Sequence, residues 1–380
     1  MKIVFFSSIV WDNYRHYHHE LVETLSEKGH SCVFVNPVRY KNWQEGSIRL
    51  QSLSSNSWGK VKVVERYFNF PKSFLILLYE NFHNLYLVWK FKPDVVVSFD
   101  YLMSVLACIY CWIMNIKFVY TVTDDWEELE ENFLVKIYLK FSNPFLGRMS
   151  FAVTAISHKQ AERFKKYNDN VFFIPNGKSM RFVLESARHV GDNILGTNKV
   201  NFIGTLRDWY DFELMFEVFR EFPQLELNIY GVGELYDDLL RMSKKYSNVF
   251  IRGNADVQML PALVSESLIG ILSLKLNKLN DSTSPTKLFD YWAAKKAVIA
   301  SPTYELKILK EDGGLLLAAF KQDYIDAMKF ILKEDAVRES LGGKGYDNIL
   351  TKYNFDLISS QFEVIFNQSW SLVLLLLITK

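Results

Sequence analysis

The sequence predicts an α/β chain of two domains, each built on a doubly wound parallel sheet. Three observations carry this. Short apolar runs alternate with segments of helical periodicity from the first residues onward. The alternation lapses over 175–196 and then restarts. And 380 residues, 49% of them hydrophobic, exceed one ordinary domain while suiting two of α/β size.

Taken in order, a strand at 3–6 precedes a helix over 17–28 that Gly29 ends, and a strand at 32–36 follows. Between 39 and 70 the pattern breaks into a polar stretch holding Trp43 and Trp58, which reads as a long insertion or a mobile loop. The run PDVVVSF marks a buried strand after a helix, 101–114 an apolar helix, and KFVYTV the next strand. A helical region opens at 124, FAVTA is a strand, Ser157 caps a helix over 157–167, and a strand at 171–174 closes the set. Pro175-Asn176-Gly177 is a strong turn, so the first domain is placed at 1–175 and a linker at 176–198. The second domain, 199–355, carries strands at 200–203, 226–230, 249–252 and 269–272, with helices at 212–222, 236–245 and 260–265 between them. A last helix at 359–367 and an apolar tail complete the chain.

Within the second domain the stretch DSTSPTKLFDYWAAKKAVIAS stands out. Ser284 in the capping position and Pro285 in the first helical position predict a helix running to about 294. The amides of Thr286 and Lys287 then lack intrahelical partners, the positive end of the helix dipole lies beside them, and the lysine adds a full charge. That combination suits an anion. Asp290, three residues on and on the same face, could accept hydrogen bonds from a diol, so the pair describes a nucleotide site; an ordinary capped surface helix with a Lys287–Asp290 ion pair is the competing reading. Gly204-Thr205 after one strand, and Gly231 and Gly233 after the next, let backbone approach a ligand, and Arg207 could meet phosphates.

The segment SPTKLFDYWAAKKAVIAS resembles the donor-binding segment of GT-B glycosyltransferases, in particular family 4-like enzymes and the bacterial glucuronosyltransferases of exopolysaccharide and teichuronic acid synthesis, whose pattern is close to S-P-x-K-x-x-E-Y-x-A-A-G-K-P-V-x-A. LRDWYDFE is similar to the G-x-x-x-x-W-x-D-x-x-L segment of the same relatives, and P-N-G to the usual end of their first domain. The resemblance implies two Rossmann-like domains facing a central cleft, with Lys287 on the diphosphate and Asp290 in the place of the glutamate that holds the ribose. It also implies a UDP-linked sugar donor, a lipid-linked or saccharide acceptor, and peripheral attachment to the cytoplasmic face of a membrane. Two departures are visible: Asp290 shortens the acid by one methylene, and Lys295 replaces the glycine that ends the helix. A glutamate common eight residues before the ribose acid is here Ser282, with Asp281 one position away.

Acceptor and catalytic groups are expected from the first domain. DNYRHYHH follows the first strand, where the resembling enzymes carry an R-x-x-H-like stretch, which makes His16 and His19 candidates. Asp124 and Asp125 follow the strand KFVYTV; one carboxylate could deprotonate an acceptor hydroxyl with its pKa raised by the other, or both could cap the acidic helix behind them. No metal and no cofactor beyond the donor are expected, since positive protein groups can neutralise a departing diphosphate.

Charge and cysteine usage narrow the rest. A net charge of +1 does not suggest a nucleic-acid partner. Three cysteines point to a reducing, cytoplasmic compartment, and Cys108 and Cys111 sit inside an apolar run that reads as packing. The chain enters a strand directly after Met1, so no leader is expected, and WSLVLLLLI near the end is too short to span a bilayer. Two other readings stand beside the transferase: an epimerase or hydrolase of the nucleotide-sugar, and a non-catalytic partner in polysaccharide assembly.

Overall fold

A computed structural model describes residues 1–11, 16–37, 39–40, 61–65, 67–68, 75–99, 102–189 and 197–369. The chain divides into two units, Met1–Pro175 with Ile358–Lys380, and Asn176–Leu357. Most of the polar stretch expected as an insertion, including Trp43 and Trp58, and the apolar tail lie outside the described residues.

The first unit is a seven-stranded, wholly parallel sheet. In spatial order its strands are Lys62–Val64, Ser31–Val35, Lys2–Phe6, Val95–Ser98, Lys117–Val122, Ala152–Ala155 and Val171–Phe173. Strands Lys2–Phe6 and Val95–Ser98 are buried along almost their whole length, which is why they read as unbroken apolar runs rather than as alternation. Chain order reverses between these two strands, so their carboxyl ends mark the place where a doubly wound sheet leaves an open crevice. Ser7 and Phe99 are the residues that follow them.

The second unit holds two three-stranded parallel sheets, Lys199–Ile203, Glu226–Tyr230 and Val249–Gly253 in one, Gly270–Leu272, Val298–Ala300 and Leu315–Leu317 in the other. The first strands of the two sets abut: Leu268 N–H donates to Lys199 O (2.7 Å), and Asn201 N–H to Ser267 Oγ (2.9 Å). The result is the same reversal, here between Lys199–Ile203 and Gly270–Leu272, followed by Gly204 and Ser273.

Several boundaries differ from the expectation. The helix expected over 101–114 is Val105–Ile113, and the acidic helix at 124 shortens to Trp126–Leu129 before a long helix, Phe133–Met149. The stretch expected as linker carries a helix, Met180–His189, whose Phe182, Val183 and Ser186 pack into the second unit. Only Phe182 and Val183 of that buried face are apolar, too few to read as a helical period. The last helix is Phe355–Asn367; within the first unit Lys28 Nζ reaches Glu363 (3.1 Å) and Lys117 Nζ donates to Phe366 O (2.6 Å). Among the described residues no helix is long and apolar enough to cross a membrane.

Helix Thr286–Ala293 is firmly anchored in the second unit. Leu288, Phe289, Tyr291 and Trp292 are buried, Tyr291 Oη donates to Asn201 O (2.7 Å), and Trp292 Nε1 donates to Gly314 O (3.1 Å). Its end shows how a lysine substitutes for a glycine. Lys295 takes a left-handed φ of 57°, with Lys295 N–H on Trp292 O (3.0 Å) and Lys296 N–H on Tyr291 O (2.9 Å) closing a Schellman motif. Lys295 Nζ lies 4.5 Å from the Tyr346 ring centroid, which offsets part of the strain. Lys295→Gly should therefore raise the unfolding free energy by about 0.5 kcal/mol, about 1 of strain relieved less roughly half of that in lost ring contact, whereas Lys295→Ala should lower it. Chemical denaturation of the two variants checks the order, and the reverse ranking would exclude this account of the helix end.

Candidate functional site

The start of helix Thr286–Ala293 is aimed where the second sheet set reverses. Lys287 Nζ donates to Tyr210 Oη (2.7 Å) and lies 4.8 Å and 5.1 Å from the ring centroids of Tyr210 and Phe202. It also fills the space over Gly204, where a Cβ would collide with the ammonium group. Tyr210 is held in turn by the loop around it: Asp211 N–H donates to Ser273 O (2.8 Å) and Lys275 N–H to Trp209 O (2.9 Å). Among the described residues no carboxylate pairs with Lys287. A half-buried ammonium held against two rings and one hydroxyl is a group whose charge suits an anion.

Backbone approaches the same place. Gly204 and Gly231 adopt φ of 153° and 152°, and a Cβ on Gly231 would run into Gly204 O, so both positions require glycine. Gly233 packs under Leu206, whose N–H donates to Val232 O (3.0 Å). Thr205 is exposed beside them. Arg207 is exposed and pairs with Glu234 (2.9 Å), so an anion would have to draw it from that partner.

The helix itself opens one residue later than expected. Pro285, extended at ψ 113°, is the cap residue, and Leu288 N–H donates to its carbonyl (3.2 Å). Ser284 does not cap. Its carbonyl accepts from Asn176 Nδ2 (2.7 Å), and its hydroxyl is buried without a partner, as is Asn176 Oδ1. Two orphaned polar atoms at a helix start are groups a ligand or water would satisfy. Thr286 is half-buried in the first turn.

Asp290 has a different partner from the one the surface-helix reading gave it. It does not pair with Lys287. It is 8% exposed and ion-paired with Lys178, whose ammonium also lies 4.7 Å from the Phe182 ring centroid. Lys178 is fixed by its backbone: its N–H donates to Tyr353 O (2.9 Å) and its carbonyl accepts from Phe355 N–H (3.2 Å). Asp281 accepts from Tyr304 N–H (3.0 Å) and so caps a neighbouring helix. Removing one member of a buried ion pair leaves an uncompensated charge. Lys178→Met is expected to cost about 3–5 kcal/mol, and Lys178→Met combined with Asp290→Leu to recover most of it. Equal losses in the single and double variants, measured by urea unfolding, would show that the pair contributes nothing.

In the first unit the sequence candidates separate into distinct roles. His19 Nδ1 accepts from His16 N–H (3.1 Å), and its ring packs edge-on against Trp11 at 5.0 Å, so it serves the start of its own helix, Tyr17–Glu27. His16 precedes that helix and is half-buried. The residues 12–15 of the same stretch lie outside the described residues. His18, passed over in the sequence, is the histidine at the reversal point. It is fully buried, its ring stacks on Phe99 at 3.8 Å, and its Nδ1 lies 2.9 Å from Ser7 Oγ. Ser7 Oγ also accepts from Ile9 N–H (3.0 Å) and donates to Ile9 O (2.9 Å). With its single hydrogen so used, Ser7 can only accept from His18 Nδ1–H. That leaves the buried and unpartnered Nε2 as a bare acceptor. Burial holds the imidazole pKa well below its ordinary value, with His16 and His19 adding to the effect.

The acidic pair also divides. Asp125 Oδ1 accepts from Arg163 (3.2 Å), and Glu127 pairs with the same guanidinium. Neither aspartate side chain caps the helix behind it. Among the described residues Asp124 has no such partner; it keeps some contact with solvent, and burial, followed by the charge of Asp125, raises its pKa from 3.8 to about 7. The sign for stability follows from the upward shift. The folded state binds the extra proton, so this contribution is fully present below pH 4 and is lost as pH rises through 7. Asp124→Asn should match the wild type near pH 4 and exceed it in stability above pH 7, measured by denaturant unfolding at pH 4, 6 and 8. A constant difference across that range would mean that Asp124 ionises normally. Among the described residues no group of three or more His, Cys, Asp or Glu side chains could hold a metal ion. The three cysteines are buried and free, and burial raises the Cys108 thiol to about 12, as a packing role requires.

Comparison with known proteins places this geometry. Residues 16–179 match the family model described as Glycosyltransferase Family 4, and residues 207–363 the model described as Glycosyl transferase-like. Among solved structures, sucrose-phosphate synthase from Thermosynechococcus elongatus superposes with a TM-score of 0.73 at 14% identity, covering 97% of this chain and 98% of its own. HepE from Anabaena, in complex with UDP and glucose, gives 0.69 at 11% identity over 97% and 100%. A UDP-forming α,α-trehalose-phosphate synthase from Burkholderia xenovorans gives 0.69 at 9% identity over 97% and 98%. No curated protein matches the chain in sequence. The two parallel-sheet units have the architecture of GT-B glycosyltransferase structures.

Proposed function

We propose, from that architecture, that the protein is a glycosyltransferase that takes a sugar from a UDP-sugar and passes it to a lipid-linked or saccharide acceptor in bacterial surface polysaccharide synthesis, working peripherally at the cytoplasmic face of a membrane. One observation carries the reading: Lys287 stands at the head of a helix, braced by Tyr210 over Gly204, and among the described residues no carboxylate pairs with it. Support for UDP comes from HepE, solved with UDP and glucose, and from the UDP-forming synthase that shares the fold.

In this reading the diphosphate lies at the helix start, where the amides of the first turn, the helix dipole and Lys287 take up the charge that grows as the glycosidic bond breaks. A fixed ammonium does the work a divalent cation does elsewhere. Gly204 and Gly231 let the donor lie against backbone, and Asn176 and Ser284 supply the orphaned polar atoms beside it. The first unit receives the acceptor. Asp124, with a pKa of about 7, serves as base if the configuration inverts, while Asp125 is held by Arg163 and positions. Retention needs no base, and Asp124 then only orients the acceptor.

The phosphorylated products named by two structural neighbours favour a second acceptor class, a soluble sugar phosphate. An acceptor panel containing both classes separates the two. The donor site is tested first and independently, by thermal stabilisation with a panel of UDP- and GDP-sugars. A UDP-sugar should raise the melting temperature of the wild type, and Lys287→Ala should abolish the shift while leaving the unliganded melting temperature within a few degrees, as expected for loss of a charge outside the core. Stabilisation that survives Lys287→Ala would remove the reading.

A further inference from the structure

One face of the first unit is built inside out. Helix Leu75–Phe91 turns Glu80, Asn81 and Asn84 inward and Leu78, Phe82, Tyr86 and Trp89 outward. The buried asparagines are satisfied by backbone: Asn81 Nδ2 donates to Leu77 O (2.9 Å) and Leu102 O (3.2 Å), and Asn84 Nδ2 to Met103 O (2.7 Å). The outward residues fall at i, i+4, i+8 and i+11, a single stripe, with Phe82 61% and Trp89 57% exposed. Single exposed apolar residues are ordinary; a continuous stripe of them on a helix that buries Glu80, Asn81 and Asn84 is not.

The stripe has neighbours. Helices Leu75–Phe91, Val105–Ile113 and Phe133–Met149 all bury residues in one core against the same side of the sheet, and Tyr138 Oη of the third donates to Leu102 O just before the second (2.7 Å). Their other sides therefore face the same way. The second contributes Trp112 and Ile113 at its end, and the third a stripe of Phe133, Ile137 and Phe141, with Phe133 73% and Phe141 72% exposed. Charge on this layer has one sign. Glu80 is the lone acid of the three helices and is buried, whereas Lys90, Lys136, Lys140 and Arg148 are cations at the surface or half-buried. The acidic run 127–131 ends before the third helix begins.

From this we infer that the outer face of these three helices is a docking surface for an anionic lipid bilayer. Trp and Tyr rings beside aliphatic side chains suit the headgroup boundary, and lysines alternating with them along the helices complement a negative surface. The inference rests on the membrane-surface part of the proposed function and names the surface; it does not depend on the donor chemistry.

Sedimentation of the full chain with vesicles tests it, comparing phosphatidylcholine alone with phosphatidylcholine containing phosphatidylglycerol. The wild type should pellet with the anionic vesicles at low salt and about tenfold less with the neutral ones, with the difference shrinking as salt rises. Phe82→Glu and Phe141→Glu should each reduce binding about tenfold, and Lys136→Glu with Lys140→Glu should remove the preference for anionic vesicles. The UDP-sugar melting shift, unchanged in these variants, shows that they are folded and keeps a failure here apart from a failure of the transferase reading. Binding equally strong in the variants would overturn the inference. So would a face occupied by a second copy, seen as a dimer that Phe82→Glu dissociates, or vesicle binding that deletion of 370–380 abolishes and the helix variants do not.

Discussion

An ammonium group kept away from carboxylates is the constraint on which the second unit turns. Lys287 would ordinarily find an acid on its own helix, and Asp290 is spaced for it at i+3. The structure prevents the pairing from both ends. Tyr210 draws the lysine toward Gly204, and Lys178 draws the acid into the unit. Because Tyr291 and Trp292 are buried and hydrogen-bonded, the helix is held where each of the two side chains meets its own partner. The charge is thereby left half-buried beside a helix start, and the favourable way to satisfy it is an anion from outside.

The same economy of placement appears in the first unit. Both units reverse strand order once, and in both the residues that follow the reversal carry the unusual chemistry: Ser7 and Phe99 with His18 in one, Gly204 with Lys287 in the other. What differs is its sign. The second unit presents a cation and glycines, suited to phosphate. The first presents an acceptor nitrogen at His18 and, two strands along, a carboxyl with a raised pKa at Asp124, suited to hydroxyl groups.

Much of this was legible in the sequence because strands buried on both faces leave continuous runs such as VVVS and KFVYTV, and because Ser157, whose hydroxyl accepts from Gln160 N–H (3.3 Å), obeys local capping rules. The lysine of the helix start was equally plain, since the first turn of a helix dictates its own chemistry. What escaped depends on partners distant in the chain. Nothing near Asp290 announces Lys178, nothing near Asp124 and Asp125 says that Arg163 will take the second and leave the first, and His18 differs from its neighbours only in where the sheet puts it. The exposed stripes were missed for a related reason: an apolar helix reads the same whether it faces a core or the outside, and here the asparagines mark the inner side.

The ion pair of Lys178 and Asp290 bears on the two departures from the resembling pattern. A glutamate would extend one methylene farther from the helix than Asp290 does, and the shorter side chain instead meets a lysine anchored by its own backbone in the segment that joins Asn176 to helix Met180–His189. A lone buried carboxylate offers a diol only acceptors, and its desolvation must be met by the ligand. A carboxylate already neutralised by an ammonium group avoids that cost. The contraction of the acid and the presence of the lysine are thus one arrangement, and it ties the turn at Asn176, whose amide also holds the Ser284 carbonyl, to the start of the helix that carries Lys287.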